Sequence, residues 1–321
     1  SFRDMVGTKM TKLKKMTVLG GGSWGTALAQ LLARQGNEVL LWAREERVVN
    51  DINEKHVNTV FLDGIRLEDK LVATGDIGEA LDGTSLVLFV VPSQFLREFL
   101  VQNRELFPVE TPLICCAKGI ENGSLRTTDE IMFEELPGKY HPYLGHLSGP
   151  SFAREVAQAM PTSVTLATQD EQVAVNVQQM MADRYFRIYT SNDLAGVSVG
   201  GALKNVIAIA AGVSDGLGMG DNARAGLMTR GLSELTRIAV KKGANPLTLS
   251  GLAGMGDLVL TCTGELSRNR SVGLRLARGE TIKEVLASMD MVAEGVATSK
   301  SVFEVARLLE VETPLCDEVY N

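Results

Sequence analysis

Residues 16–25 read Met16-Thr17-Val18-Leu19-Gly20-Gly21-Gly22-Ser23-Trp24-Gly25, and this stretch decides the fold. A short apolar run leads straight into G-x-G-x-x-G spacing. Beyond it, Trp24, Ala27, Leu28, Leu31 and Leu32 recur on one face of a helix that Gly36 stops. A second apolar run, Glu38-Val39-Leu40-Leu41-Trp42, follows at once. Each glycine has a mechanical task in such a turn: Gly20 takes the tight bend, Gly22 lets the backbone approach a pyrophosphate, and Gly25 lets helix and strand pack closely. The phosphates then meet N–H groups at a helix N-terminus. Strand, glycine loop, helix and strand in that order predict a dinucleotide-binding βαβ unit.

Working outward, near-continuous apolar runs at 85–91 and 112–116 lack period-2 alternation, as strands covered on both faces do. Runs at 162–167 and 185–189 are expected to extend the same sheet. After about residue 193 the texture becomes rich in Ala, Gly and Leu at helical spacing, with Asp257-Leu258-Val259-Leu260 the one candidate strand. The fold class is therefore α/β: an N-terminal Rossmann-type doubly wound sheet over 17–193, plus an all-α C-terminal domain over 194–321. Residues 1–16, with Lys9, Lys12, Lys14 and Lys15, read as a disordered tail extraneous to the fold. No repeat and no low-complexity linker separates the halves.

A chain of 321 residues with 45% apolar side chains exceeds the usual size of one hydrophobic core, so two domains need no metal or disulfide staples. Its net charge of −7 gives no general attraction to nucleic acid or anionic lipid. No run of about 18 apolar residues suggests membrane insertion. Cys115, Cys116, Cys262 and Cys316 form no disulfide framework, and His56, His141 and His146 are scattered without metal-ligand spacing. These features predict a cytoplasmic protein with a small-molecule ligand and no metal; a homodimer is left open.

Several residues stand out as chemistry. Arg44, where an NAD site would place an acid, offers a bidentate donor for a 2′-phosphate. Glu45 and Glu46 could still reach a ribose, so the cofactor reads as NADP or NAD with a lean to NADPH. Lys118 follows the 112–117 run, where ligands of open α/β sheets bind, though a solvated loop lysine would look the same. Lys204 is the only charged residue between Val197 and Val213, and helical spacing sets it beside Gly200, Gly201, Ile207 and Ala208. A low-dielectric setting would pull its pKa down toward the range of proton exchange; snorkelling to solvent is the competing reading. Glycines surround Asp257, and Ser267-Arg268-Asn269-Arg270 fits either an anion site or a capping serine with solvated arginines.

Together these stretches resemble the NAD(P)-dependent glycerol-3-phosphate dehydrogenases, particularly the bacterial type. The resemblance runs in order through residues 20–29, Val91-Pro92-Ser93, Ala117-Lys118-Gly119, Ser148-Gly149-Pro150-Ser151-Phe152-Ala153, residues 202–209, Asn222-Ala223-Arg224, residues 256–262, Ser267-Arg268-Asn269 and Glu294-Gly295. It implies reversible reduction of dihydroxyacetone phosphate to sn-glycerol 3-phosphate, a supply for phospholipid synthesis. By the family pattern Lys204 exchanges the proton while hydride passes between nicotinamide and carbonyl carbon. Asp257 orients or charges that lysine, and Lys118 stands beside them. Substrate contacts are implied for Lys118, Gly149, Ser151, Lys204, Asp257, Ser267, Arg268 and Asn269, and cofactor contacts for Ser23, Trp24, Arg44, Lys118, Ala153, Arg268, Val292 and Glu294, beside Gly20, Gly22 and Gly25. The chain stops at Tyr320-Asn321, where members generally continue with more helix, which suggests a truncated C-terminus.

Two other readings compete. A 3-hydroxyacid or 6-phosphogluconate-type dehydrogenase also pairs a Rossmann domain with a helical lysine followed by asparagine, but Asp257 and Ser267-Arg268-Asn269 argue against it. A non-catalytic dinucleotide sensor would not require Lys118, Lys204 and Asp257 together.

Overall fold

The computed structural model describes residues 14–289 and 293–321. Among these, eight strands form one sheet: β1 (Lys15–Leu19), β2 (Glu38–Trp42), β3 (Leu71–Thr74), β4 (Val87–Phe89), β5 (Leu113–Cys115), β6 (Leu144–Ser148), β7 (Thr162–Thr168) and β8 (Phe186–Ser191). Their order is β3-β2-β1-β4-β5-β6-β7-β8. The first six run parallel, β7 turns antiparallel against β6, and β8 pairs parallel with β7. Strand order reverses between β1 and β4, so the glycine loop leaves β1 at the switch point where such sheets open a crevice. The central strands β4 and β5 are buried throughout because helices cover both faces, whereas the edge strand β8 alternates buried and exposed residues.

The helix α1 (Ser23–Arg34) buries Ala27, Leu28, Leu31 and Leu32 against this sheet, and Gly36 closes it at φ 90°. Beyond β8 the chain is helical. Its axis is the helix Leu194–Gly216, capped by Asp193 through the Gly196 N–H at 2.9 Å. This helix is long and apolar enough to cross a bilayer by length and composition, yet 89% of its most apolar stretch is packed inside the protein. Val206, Ile207 and Ala211 meet Leu235, Ile238, Leu258 and Val302 from the surrounding helices.

Two expectations are corrected. Asp257-Leu258-Val259-Leu260 is not a strand but the start of the helix Asp257–Thr263, entered through a wide π-helical turn at Leu252–Gly256. Leu258 and Cys262 are buried in the core around the central helix while Val259 stays exposed, and tertiary contact outweighs the local preference for extended backbone. The supposed tail also ends too late, since Lys15 and Met16 belong to β1 and Met16 is buried in the core. The rest of that segment, 1–13, lies outside the described residues.

Candidate active site

The glycine loop is built as steric reasoning requires. Gly20 sits at φ 130°, and a Cβ there would lie 2.8 Å from the Val90 carbonyl oxygen. A Cβ at Gly25 would overlap the Gly20 carbonyl oxygen, so this glycine lets α1 settle on the loop. At Gly22, by contrast, a Cβ would meet nothing within 4 Å, and no side chain caps the helix there. The open face over Gly22, at the positive end of α1, fits the pyrophosphate of a dinucleotide. Trp24 ties this loop to the next strand end: its indole Nε1 donates to the Cys116 carbonyl at 3.2 Å, two residues before Lys118.

Three remote segments meet beyond the strand ends. Lys204, on the central helix, is 7% exposed and pairs its ammonium with Asp257 Oδ1. Lys118, just after β5, reaches Asp257 Oδ2 at 2.8 Å and the Gly149 carbonyl at 3.3 Å. Asp257 itself is 1% exposed, and its helix adds Thr261 Oγ1, which donates to the Asp257 backbone carbonyl at 2.6 Å. Gly201 makes the space: a Cβ there would come within 2.5 Å of Ser148 Oγ and 3.4 Å of the Lys118 side chain.

Burial is what sets the protonation chemistry. Desolvation pulls Lys204 down to about 8, against the Asp257 carboxylate that favours its charge; the Lys118 cation adds to the depression. Two ammonium groups share one carboxylate, so the cluster carries one positive charge in excess if all three are ionised. Glu294 borders the same field. Burial raises its carboxyl pKa, while the charges of Arg268, Lys118 and Lys204 restrain the rise.

The remaining residues take places around this centre. Ser267 caps the helix Arg268–Ala277 by accepting the Arg270 N–H at 3.2 Å. That helix is pressed on the central helix where Gly273 and Gly212 face backbone, since a Cβ at either would overlap a carbonyl oxygen of the other helix. Arg270 reinforces the junction through Asp215 at 2.7 Å. Asn269 Oδ1 accepts the Gly295 N–H at 2.9 Å, which joins this turn to the start of the helix Glu294–Leu308. Ser151 Oγ donates to the Gly149 carbonyl at 3.0 Å, and Ala153 opens the helix Ala153–Ala157.

Arg44 stands apart from the lysines, past the end of β2, with its side chain 81% exposed and 3.3 Å from Glu45. Val292 lies outside the described residues. Sequence reasoning passed over Thr261, one helical turn from Asp257, and the buried Asn205 beside Lys204.

Comparison with known proteins places the chain in a family. The model described as NAD-dependent glycerol-3-phosphate dehydrogenase N-terminus matches residues 15–174, and its C-terminus counterpart matches 193–321. The chain belongs to the NAD-dependent glycerol-3-phosphate dehydrogenase family. Among named members, glycerol-3-phosphate dehydrogenase [NAD(P)+] of Myxococcus xanthus is 54% identical over 304 residues, 95% of this chain and 91% of that protein. The protein of the same name from Citrifermentans bemidjiense is 52% identical, covering 96% of this chain and 92% of its own. The crystal structure of glycerol-3-phosphate dehydrogenase from Coxiella burnetii superposes with a TM-score of 0.90 at 38% identity, covering 96% of this chain and 94% of that one. In this glycerol-3-phosphate dehydrogenase family member the two matched regions flank β8, which ends two residues before Asp193 caps the central helix.

Proposed function

We infer that the chain reduces dihydroxyacetone phosphate to sn-glycerol 3-phosphate with NADPH or NADH, reversibly. The carrying observation is the meeting of Lys204, Asp257 and Lys118, drawn from three distant segments into one buried ion cluster beyond the strand ends. Residues 15–193 form the dinucleotide-binding part and 194–321 the part that holds substrate and catalytic lysine. Gly20, Gly22, Ser23, Trp24 and Gly25 cradle the pyrophosphate, with Arg44, Lys118, Ala153, Arg268, Val292 and Glu294 completing the dinucleotide site. When bound, the nicotinamide exchanges the hydrogen and electron pair at the substrate's carbonyl carbon.

Lys204 gives its proton to the ketone oxygen during reduction and takes one from the hydroxyl during oxidation. A pKa of about 8 makes both directions accessible near neutrality. Asp257 holds the amine in place and keeps its ionised form within reach despite burial. The surplus positive charge suits a phosphorylated substrate. Ser267, Arg268 and Asn269 hold the phosphate at the N-terminus of their helix, while Lys118, Gly149 and Ser151 border the carbon chain. Anchoring the phosphate away from the reacting carbon supplies orientation rather than bond chemistry.

The four cysteines are free and buried thiols, a state kept in reducing compartments, which supports a cytoplasmic setting where the product serves phospholipid synthesis. The test follows NADPH oxidation against a panel of carbonyl compounds. Turnover is expected with dihydroxyacetone phosphate. Activity only on 2-oxo or 3-oxo carboxylates, or binding of dinucleotide with no turnover at all, would overturn the assignment.

A further inference from the structure

Asn58 is fully buried, lies outside every regular element, and has no place in the chemistry above. Its amide is nevertheless saturated. Nδ2 donates to the Gly21 carbonyl at 2.9 Å and to Thr26 Oγ1 at 2.8 Å, and Oδ1 accepts the Phe61 N–H at 3.0 Å. Thr26 Oγ1 adds a second, longer donor to the same Gly21 carbonyl at 3.3 Å. The segment carrying Asn58 is itself closed into a tight turn, with the Leu62 N–H on the Asn58 carbonyl at 3.0 Å. A rigid turn thus reaches across to one peptide group of the glycine loop.

We propose that Asn58 is a positioning residue for the dinucleotide: by holding the Gly21 carbonyl inward it turns the Gly22 N–H outward, onto the pyrophosphate. A trans peptide is planar, with its C=O and N–H pointing in opposite directions, so fixing one fixes the other. Three glycines in a row could otherwise adopt many orientations, because glycine is the residue least restricted by sterics. A Cβ built at Gly22 would meet nothing within 4 Å, so there is room beside this peptide for a ligand. Asn58 therefore supplies order that the loop's own sequence does not. The proposal rests on the dinucleotide reading of the glycine loop. It adds a prediction that reading does not make: the pyrophosphate is common to both cofactors, so loss of Asn58 weakens NADPH and NADH by the same factor.

The test is calorimetric titration of the full chain with NADPH and with NADH, together with its melting temperature in the absence of ligand. Asn58→Ala is expected to weaken both dinucleotides about tenfold, leaving kcat at saturating cofactor near that of the unaltered chain. Gln30→Ala is the control, because Gln30 is also buried on α1 and ties the Glu68 N–H at 2.8 Å, yet touches no part of the loop. It should lower the melting temperature and leave both affinities alone. If Asn58→Ala does not fold, Thr26→Val, nearly isosteric, should weaken both dinucleotides about threefold, because the lost hydroxyl both donates to the Gly21 carbonyl and accepts from Asn58 Nδ2. Unchanged affinity in Asn58→Ala, or in Thr26→Val where that variant stands in, overturns the proposal. So does an equal loss in Gln30→Ala, which would mark a general softening. Failure of the unaltered chain to bind either dinucleotide would instead overturn the functional reading beneath it.

Discussion

The two halves of the molecule present chemistry by opposite means. In the sheet half, the glycine loop removes side chains so that main-chain N–H groups can approach a ligand, and Gly22 faces open space. In the helical half, small residues surround a long one, so that a single amine projects from an apolar helix onto a carboxylate. The contrast follows from what each half must do. Holding a pyrophosphate asks for fixed dipoles that never change charge, whereas exchanging a proton asks for a group whose charge changes near neutral pH. Backbone serves the first and only a buried, partnered side chain serves the second.

Removing the amine should break this division most sharply. Lys204→Ala is expected to lower kcat by about a thousandfold, with dinucleotide affinity measured by titration unchanged. A variant with ordinary turnover would take the proton role from Lys204. The pH profile tests the same group without mutation. Lys204 titrates at about 8, below the ordinary lysine value, chiefly because burial disfavours the ammonium form. Reduction needs the protonated amine, so reductive kcat should fall as pH rises through about 8; oxidation needs the free amine, so its rate should rise through the same range. A reductive profile without that alkaline decline would separate Lys204 from the chemistry.

On the backbone side, Gly22→Ala sharpens the comparison. A methyl group there meets no protein atom within 4 Å, so the melting temperature should hold while both dinucleotides weaken about tenfold. Gly25→Ala is its counterpart, since that methyl overlaps the Gly20 carbonyl and should disturb the fold itself. Equal behaviour of the two variants in both measurements would dissolve the distinction between a glycine kept for the ligand and one kept for packing.

What the sequence disclosed divides along similar lines. The glycine loop is legible because its signature is local: three glycines at fixed spacing within six residues, set between a strand and a helix. Lys204 is legible as a charge in an apolar stretch, but its partners are not, because Asp257 lies 53 residues from Lys204 and 139 from Lys118, and no spacing rule joins them. Only the resemblance brought the three together before the fold did. Strand order was unreadable for the same reason. β3 and β6 escaped notice because one is four residues long and the other contains Gly145 and His146, which dilute its apolar signal. Asn58 left no trace at all. A single asparagine in a loop has no periodicity, and its meaning lies in a carbonyl 37 residues away.

Arg44 offers the finest cut, because it belongs to the sheet half yet acts through a side chain. It lies past β2, next to Ala43, whose Cβ would stand 2.6 Å from a methyl at Gly21, so it borders the loop without entering the lysine cluster. Its guanidinium is mostly solvated and only loosely held by Glu45, so it can turn to a 2′-phosphate without breaking a buried pair. The expected gain is correspondingly modest. Arg44→Asp should shift the ratio of NADPH to NADH affinity about tenfold toward NADH, since the carboxylate repels the 2′-phosphate and accepts from the ribose hydroxyl. Substrate KM and the pH at which Lys204 titrates should stay where they are, because the residue shares no contact with that cluster. An unchanged ratio would remove Arg44 from cofactor choice and leave Glu45 and Glu46 to meet the ribose. An altered pH profile would show that the two halves are coupled through the bound dinucleotide rather than divided by role.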